Sequence, residues 1–158
     1  MSSKQPIKIL FVCLGNICRS PLAEGVLQQK AAEQGRASEF YIDSAGIGGW
    51  HVGQLPDHRM REVAAQRGYQ LTSRARQFSP QDFQRFDLIF VMDGENFSDV
   101  SAQARTDADR DKIKKLASFL PKELARPDIP DPYYGSREDF FSVVQLVEAA
   151  CDRLLASL

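Results

Sequence analysis

Residues 7 to 12, IKILFV, form a nearly continuous apolar run rich in β-branched residues, and the chain passes from it straight into CLGNICRS and then into a helical pattern. A strand that is apolar on both sides has to be covered on both faces, which places it inside a parallel sheet. Beyond the turn, Pro21 suits a first helical turn, Leu22, Val26 and Leu27 mark an apolar stripe, and Gly35 offers a stop. Strand, tight turn and helix are what this stretch allows.

The unit then repeats. EFYIDSAG at 39 to 46 predicts a second strand that ends in the glycine-rich GIGGW, and Asp57 is placed to cap a helix over HRMREVAAQR that stops at Gly68. DLIFVM at 87 to 92 predicts a third strand, followed by a polar helix over DGENFSDVSAQA, a charged connector TDADRDK and a last strand over IKKLASF at 113 to 119. PDIPDPYYG reads as a loop, and from Ser136 to Leu158 a long helix sets Phe140, Val143, Val147, Ala150, Cys151, Leu154 and Leu158 on one face.

Strands alternating with helices predict an α/β fold, a three-layer doubly wound sandwich with a four-stranded parallel sheet flanked by helices, as one domain over residues 1–158. That length buries a core without disulfides or metal. In such sheets ligands bind outside the carboxyl ends of the strands at the switch point, and the loop that begins at Cys13 leaves the first strand there.

A net charge of −1 and a pI near 6.1 give no broad positive field, so neither nucleic acid nor an anionic membrane is an expected partner. Any anion must be held by local donors. The amino terminus, MSSKQPIKILFVC, has neither a signal-peptide apolar run nor a membrane span, and three cysteines do not form a secreted disulfide framework. The expectation is a cytoplasmic protein with reduced thiols. His51 and His58 lack the spacing of a metal site, and no metal or other cofactor is expected.

Cys13 and Arg19 are separated by five residues. With three cysteines and 13 arginines in 158 residues, chance supplies roughly 0.25 such pairs, so the spacing carries weight only through its context. Here the pattern starts at a strand end, enters a helix, and carries Gly15 and Asn16 where the backbone must curl. Both tolerate left-handed conformations, which lets successive amides of Leu14 to Ser20 converge on one tetrahedral anion at a helix amino terminus. Arg19 adds a planar fork for two phosphate oxygens. The same positive surroundings favour the thiolate of Cys13, the form that attacks phosphorus, and the Ser20 hydroxyl is placed to donate to the sulfur. A general acid must then protonate the leaving oxygen from the opposite side; Asp131, in the loop after the last strand and followed by Pro132, is the candidate, with Asp128 as competitor.

Cys13-Leu14-Gly15-Asn16-Ile17-Cys18-Arg19-Ser20 together with Asp131-Pro132-Tyr133-Tyr134-Gly135 resembles the low-molecular-weight protein tyrosine phosphatase family, and the likeness extends through SAG at 44 to 46 and GWHVG around Trp50. The resemblance implies the doubly wound fold and a phosphocysteine mechanism that hydrolyses phosphotyrosine in proteins or small aryl phosphates and releases inorganic phosphate. It implies Cys13 as nucleophile, Arg19 as phosphate ligand, Asp131 as acid, and Asn16, Ser20 and Ser44 as the residues that hold the loop. Trp50, Tyr133 and Tyr134 are implied as cleft walls, a slot whose depth favours a phenyl ring over phosphoserine. Members that act on phosphoarginine usually carry threonine where Ile17 stands, so isoleucine points to the tyrosine type.

Other readings stand beside these. Cys18 either packs at the helix start or, as in the family, forms a reversible disulfide with Cys13 under peroxide; Cys151 reads as core. Trp50 could be a half-buried anchor, and Tyr133 and Tyr134 could simply cover the core. Arg74, Arg76 and the run from Asp107 to Lys115 read as solvated surface with a few ion pairs. An arsenate reductase on the same fold would need relay cysteines, of which only Cys18 and Cys151 are to spare. A non-catalytic phosphotyrosine reader would have no need of nucleophile, arginine and acid together.

Overall fold

The computed structural model describes residues 5–158; Met1–Lys4, where the reading of the amino terminus begins, lie outside the described residues. Ile7–Cys13 (β1), Phe40–Gly46 (β2), Leu88–Val91 (β3) and Ile113–Lys115 (β4) hydrogen-bond as one parallel sheet in the order β2-β1-β3-β4. The apolar run does lie at the centre. Along β1, Ile9 and Phe11 face one layer while Leu10 and Val12 face the other, and all four are fully buried. Each such side chain contributes roughly 1.5–3 kcal/mol of burial, which is why this strand takes the middle of the sheet.

Helices Arg19–Glu33 (α1), His58–Gln66 (α2) and Arg137–Ser157 (α6) cover the first face, with Leu22, Val26, Met60, Phe140, Val147 and Leu154 closing over Ile9, Phe11 and Phe90. On the second face Phe83, from the short helix Asp82–Arg85 (α3), and Val100, from Gly94–Ser101 (α4), pack with Leu10, Val12, Ile89 and Val91. Three layers result, as the alternating pattern predicts. Asp57 caps α2 by accepting from Arg59 N at 2.8 Å, and Ser136 with Asp139 forms a capping box at the start of α6. Gly35 (φ 69°) and Gly68 (φ 90°) end their helices in the left-handed region as expected. None of the helices is long and apolar enough to cross a membrane, among the described residues.

Three expectations are corrected. The last strand stops at Lys115, because its partner β3 ends at Val91, and Leu116–Phe119 turns into a 3-10 helix. The charged connector contains a helix, Asp107–Asp111 (α5), because Thr106 accepts from Asp109 N at 3.0 Å and caps it. Nor is the run from Asp107 to Lys115 merely solvated: Asp109 and Ile113 are buried, and Lys112 donates to the carbonyls of Phe83 and Phe86.

Candidate active site

Strand order reverses between β1 and β3, so the loops leaving these two neighbours diverge and open a crevice at their carboxyl ends. The first loop runs from Cys13 into α1, whose start has no side-chain cap on Cys18 and no acidic residue in the first turn. Its amino-terminal amides are therefore left for an anion. Asn16 is the one described non-glycine residue with positive φ, at 57°. Its side chain is a hub: Nδ2 donates to Ser20 Oγ (2.7 Å) and Ser44 Oγ (3.0 Å), and Oδ1 accepts from Arg76 N (3.0 Å). Gly15 keeps φ outside the left-handed region, contrary to expectation; a Cβ there would crowd His51 Cδ2 at 3.1 Å, a contact a small shift of that side chain relieves. Beneath the loop Gly46 has less room, a Cβ falling 2.9 Å from the backbone N of Asn16. Ile47 N and Gly48 N continue the β1–β2 ladder onto the carbonyls of Cys13 and Leu14, both at 2.9 Å.

Cys13 Sγ lies 3.0 Å from Ser20 Oγ and accepts from Ser20 N at 3.4 Å. Ser44 passes the network inward by donating to Glu24 Oε1 at 2.5 Å, and burial pushes the Glu24 carboxyl above its usual range although that hydrogen bond works against the shift. Arg76 is thus no free surface charge. It is half-buried, ion-paired with Asp43 (3.0 Å) and Asp82 (3.1 Å), and its backbone braces Asn16; Arg74 is exposed and donates to Gly53 O.

Arg19 is only 2% exposed. Its Nη1 donates to Asp93 Oδ2 (2.7 Å) and Ile129 O (3.0 Å), and its Nη2 to Asp131 Oδ2 (3.4 Å). Burial disfavours its charge, yet Cys13, Asp93 and Asp131 together outweigh that cost and hold its pKa above the ordinary arginine value. Among the described residues, Arg19 Nε is the one buried side-chain polar atom without a hydrogen-bond partner. Such an atom is costly to bury unless a ligand serves it.

Asp131 is brought to the crevice by Ile129, fully buried, whose N donates to Met92 O at 2.8 Å beside Asp93. Tyr133 N donates to Asp131 Oδ1 at 3.1 Å and aims the carboxylate. The competitor Asp128 is engaged elsewhere, accepting from Gly94 N (3.1 Å) and pairing with Lys115 (2.7 Å).

Together these elements shape a cleft of about 290 Å³ lined by Cys13, Leu14, Gly15, Ile17, Cys18, Arg19, Asp131 and an aromatic rim. Trp50, 69% exposed, and Tyr133 both line it, while Tyr134, edge-on to Tyr133 at 4.9 Å, is 96% exposed. Asn16, Ser20 and Ser44 lie behind the lining, where they support it. Burial, then the charges of Asp57, Cys13 and Asp131, push the Cys18 thiol far up, and Cys151 is fully buried in the core. All three cysteines are free. No group of three or more His, Cys, Asp or Glu side chains could hold a metal, among the described residues.

Sequence reasoning passed over Asp93, Ile129 and Glu24, and weighed His51 only as a metal ligand. Asp93 opens α4 as its cap (Asn96 N donates to Oδ1 at 2.8 Å), and a cap signal hides its second partner. His51 lines the cleft with Nδ1 3.1 Å from Gln54 Oε1. The chemistry of such a site is capture of a tetrahedral oxyanion next to a thiol and a carboxyl group.

Comparison with known proteins agrees. The family described as "Low molecular weight phosphotyrosine protein phosphatase" matches residues 8–158. A putative low molecular weight protein-tyrosine-phosphatase of Synechocystis is 45% identical over 152 residues, which cover 96% of each chain. The crystal structure of a protein tyrosine phosphatase from Entamoeba histolytica with Hepes in the active site superposes with a TM-score of 0.92 at 39% identity, covering 96% of both chains. A drosophila arginine phosphatase superposes with a TM-score of 0.87 at 34% identity, over 96% of this chain and 97% of that one. With the family pattern spanning nearly the whole chain and the fold matched over 96% of its length, this protein belongs to the low molecular weight phosphotyrosine protein phosphatase family.

Proposed function

We propose that this chain, acting as a single phosphatase domain, hydrolyses phosphotyrosine-type aryl phosphate monoesters through a phosphocysteine at Cys13. The carrying observation is the buried Arg19 guanidinium, held in the cleft by Asp93 and Ile129 with its Nε unpartnered, beside a thiol at the foot of an uncapped helix. The loop amides and Arg19 bind the equatorial oxygens while the Cys13 thiolate attacks phosphorus in line. The P–O bond to the aryl oxygen breaks, and Asp131, protonated, delivers its proton to that oxygen. Water then attacks the phosphocysteine, Asp131 takes a proton back, and inorganic phosphate leaves the regenerated thiolate.

Trp50 and Tyr133 form the walls that favour a phenyl ring, and the apolar Ile17 supports a phosphotyrosine substrate. Phosphoarginine is the second reading, favoured by the likeness to the drosophila arginine phosphatase. A panel of phosphotyrosine, phosphoserine and phosphoarginine peptides separates them: phosphotyrosine turns over fastest, and faster release from phosphoarginine reassigns the substrate class. Turnover itself excludes a mere reader. Arsenate reduction lacks support, because it needs relay thiols and, of the two spares, Cys151 is sealed in the core, which leaves Cys18 alone at the cleft. We further propose a cytoplasmic setting and peroxide sensitivity, with a Cys13 sulfenic acid condensing with the Cys18 thiol to a disulfide and water.

The acid assignment has its own test. Asp131→Ala lowers kcat/KM, which covers only the steps through loss of the aryl oxygen, by roughly 10²-fold or more on phenyl phosphate, whereas on 2,4-dinitrophenyl phosphate, whose leaving group departs unaided, it falls far less. Equal slowing on both substrates would assign the proton to another group.

A further inference from the structure

Arg59 lies outside the cleft on the first turn of α2, and the steps above make no use of it. Asp57 grips its guanidinium with both oxygens, Nε donating to Oδ1 at 3.0 Å and Nη2 to Oδ2 at 2.8 Å. Two aromatic rings meet it, with Cζ 4.6 Å from the centroid of Phe140 and 5.3 Å from that of Tyr133. A helix cap requires only Asp57 Oδ1 and the Arg59 amide, so the fork and the two rings exceed what capping needs.

What they do follows from what lies at either end. Asp57 N donates to Ile17 O at 2.8 Å, which ties the grip to the nucleophile loop. Tyr133 N donates to Asp131 Oδ1, and Asp131 Oδ2 faces Arg19 Nη2. A ring therefore closes from Ile17 through Asp57, Arg59, Tyr133 and Asp131 to Arg19 and back into the same loop. Only the stacking of Arg59 on Tyr133 joins α2 to the acid-bearing segment within that ring.

We infer that Arg59 is a positioning residue for the general acid: it fixes the Tyr133 ring, and through the Tyr133 amide the Asp131 carboxyl, relative to the nucleophile loop. This rests on the reading of Asp131 as the acid. Lysine in its place keeps a charge near the rings but loses the fork that Asp57 holds. Methionine keeps the apolar stem and loses both.

Arg59→Met and Arg59→Lys, each alone and combined with Asp131→Ala, test the inference with phenyl phosphate and 2,4-dinitrophenyl phosphate as substrates and inorganic phosphate as competitive inhibitor. Arg59→Met lowers kcat/KM, which covers only the steps through loss of the aryl oxygen, roughly tenfold on phenyl phosphate and by less than about twofold on the dinitrophenyl ester, with phosphate inhibition unchanged, as a misplaced acid does. Arg59→Lys recovers part of the loss. In the Asp131→Ala background, Arg59→Met adds nothing further. Equal losses on both substrates, or the same loss recurring without Asp131, would overturn the inference and leave Arg59 a structural residue. Should Arg59→Met melt below the assay temperature, the leaving-group ratio of Arg59→Lys decides in its stead. Leaving-group independence in Asp131→Ala itself would sink the acid reading and this inference with it; dependence there and none in Arg59→Met sinks the inference alone.

Discussion

Cys13→Ser abolishes hydrolysis of p-nitrophenyl phosphate, with a fall in kcat on the order of 10⁴-fold or more, while fold and inorganic phosphate binding persist. The size of the effect follows from the partners of the side chain. The sulfur is met by the Ser20 amide and the Ser20 hydroxyl, groups that stabilise an anion but are poor acceptors of a proton. A thiolate attacks without further help, whereas an alcohol needs a general base, and no base is among the partners of residue 13. Serine is close enough in size for the loop amides and Arg19 to keep their arrangement, so competitive binding of phosphate in an equilibrium titration checks that the site survives. Residual turnover within about a hundredfold of the parent protein would refute the nucleophile assignment.

Arg19→Lys retains the positive charge yet lowers kcat on the order of 10³-fold, the scale of arginine's contribution in phosphoryl transfer. Arg19 serves Asp93, Ile129 O and Asp131 with its two Nη atoms and keeps Nε in reserve. An ammonium has three donors on one point and cannot span those partners and two phosphate oxygens at once. It therefore sacrifices either the phosphate geometry or the pairing of Asp93, whose carboxylate is otherwise left half-buried without a cation. Steady-state kinetics with a parallel melting curve separate the two costs, and activity within about tenfold of the parent would show that charge alone suffices.

Much of this site is legible because its first half is local. Strand, curl and helix are consecutive in sequence, so β-branched residues at 7 to 12, Asn16 and Pro21 declare the loop without reference to anything distant. The second half depends on topology. Asp93 meets Arg19 only because β3 is inserted next to β1, and nothing near residue 93 encodes that neighbour. The choice between Asp131 and Asp128 likewise turns on Ile129, whose amide is pinned to Met92 O and sets which carboxylate faces inward. Arg76 illustrates the limit of composition: a charge between polar residues looks solvated until the chain folds its backbone against Asn16. The misplaced end of β4 has the same origin, since LASF is apolar enough for a strand but finds no partner beyond Val91.

The left-handed hub at residue 16 leaves this position almost no freedom to vary. Most L-residues there pay about 1–2 kcal/mol for the backbone alone. Glycine would accept the geometry but offer nothing to the two serines, and aspartate could receive the Arg76 amide yet has no hydrogens for either hydroxyl. Glutamine has the right atoms on a stem one carbon too long for a site 2% open. Anyone redrawing this loop for a different oxyanion can exchange its rim at will, but has to build around asparagine.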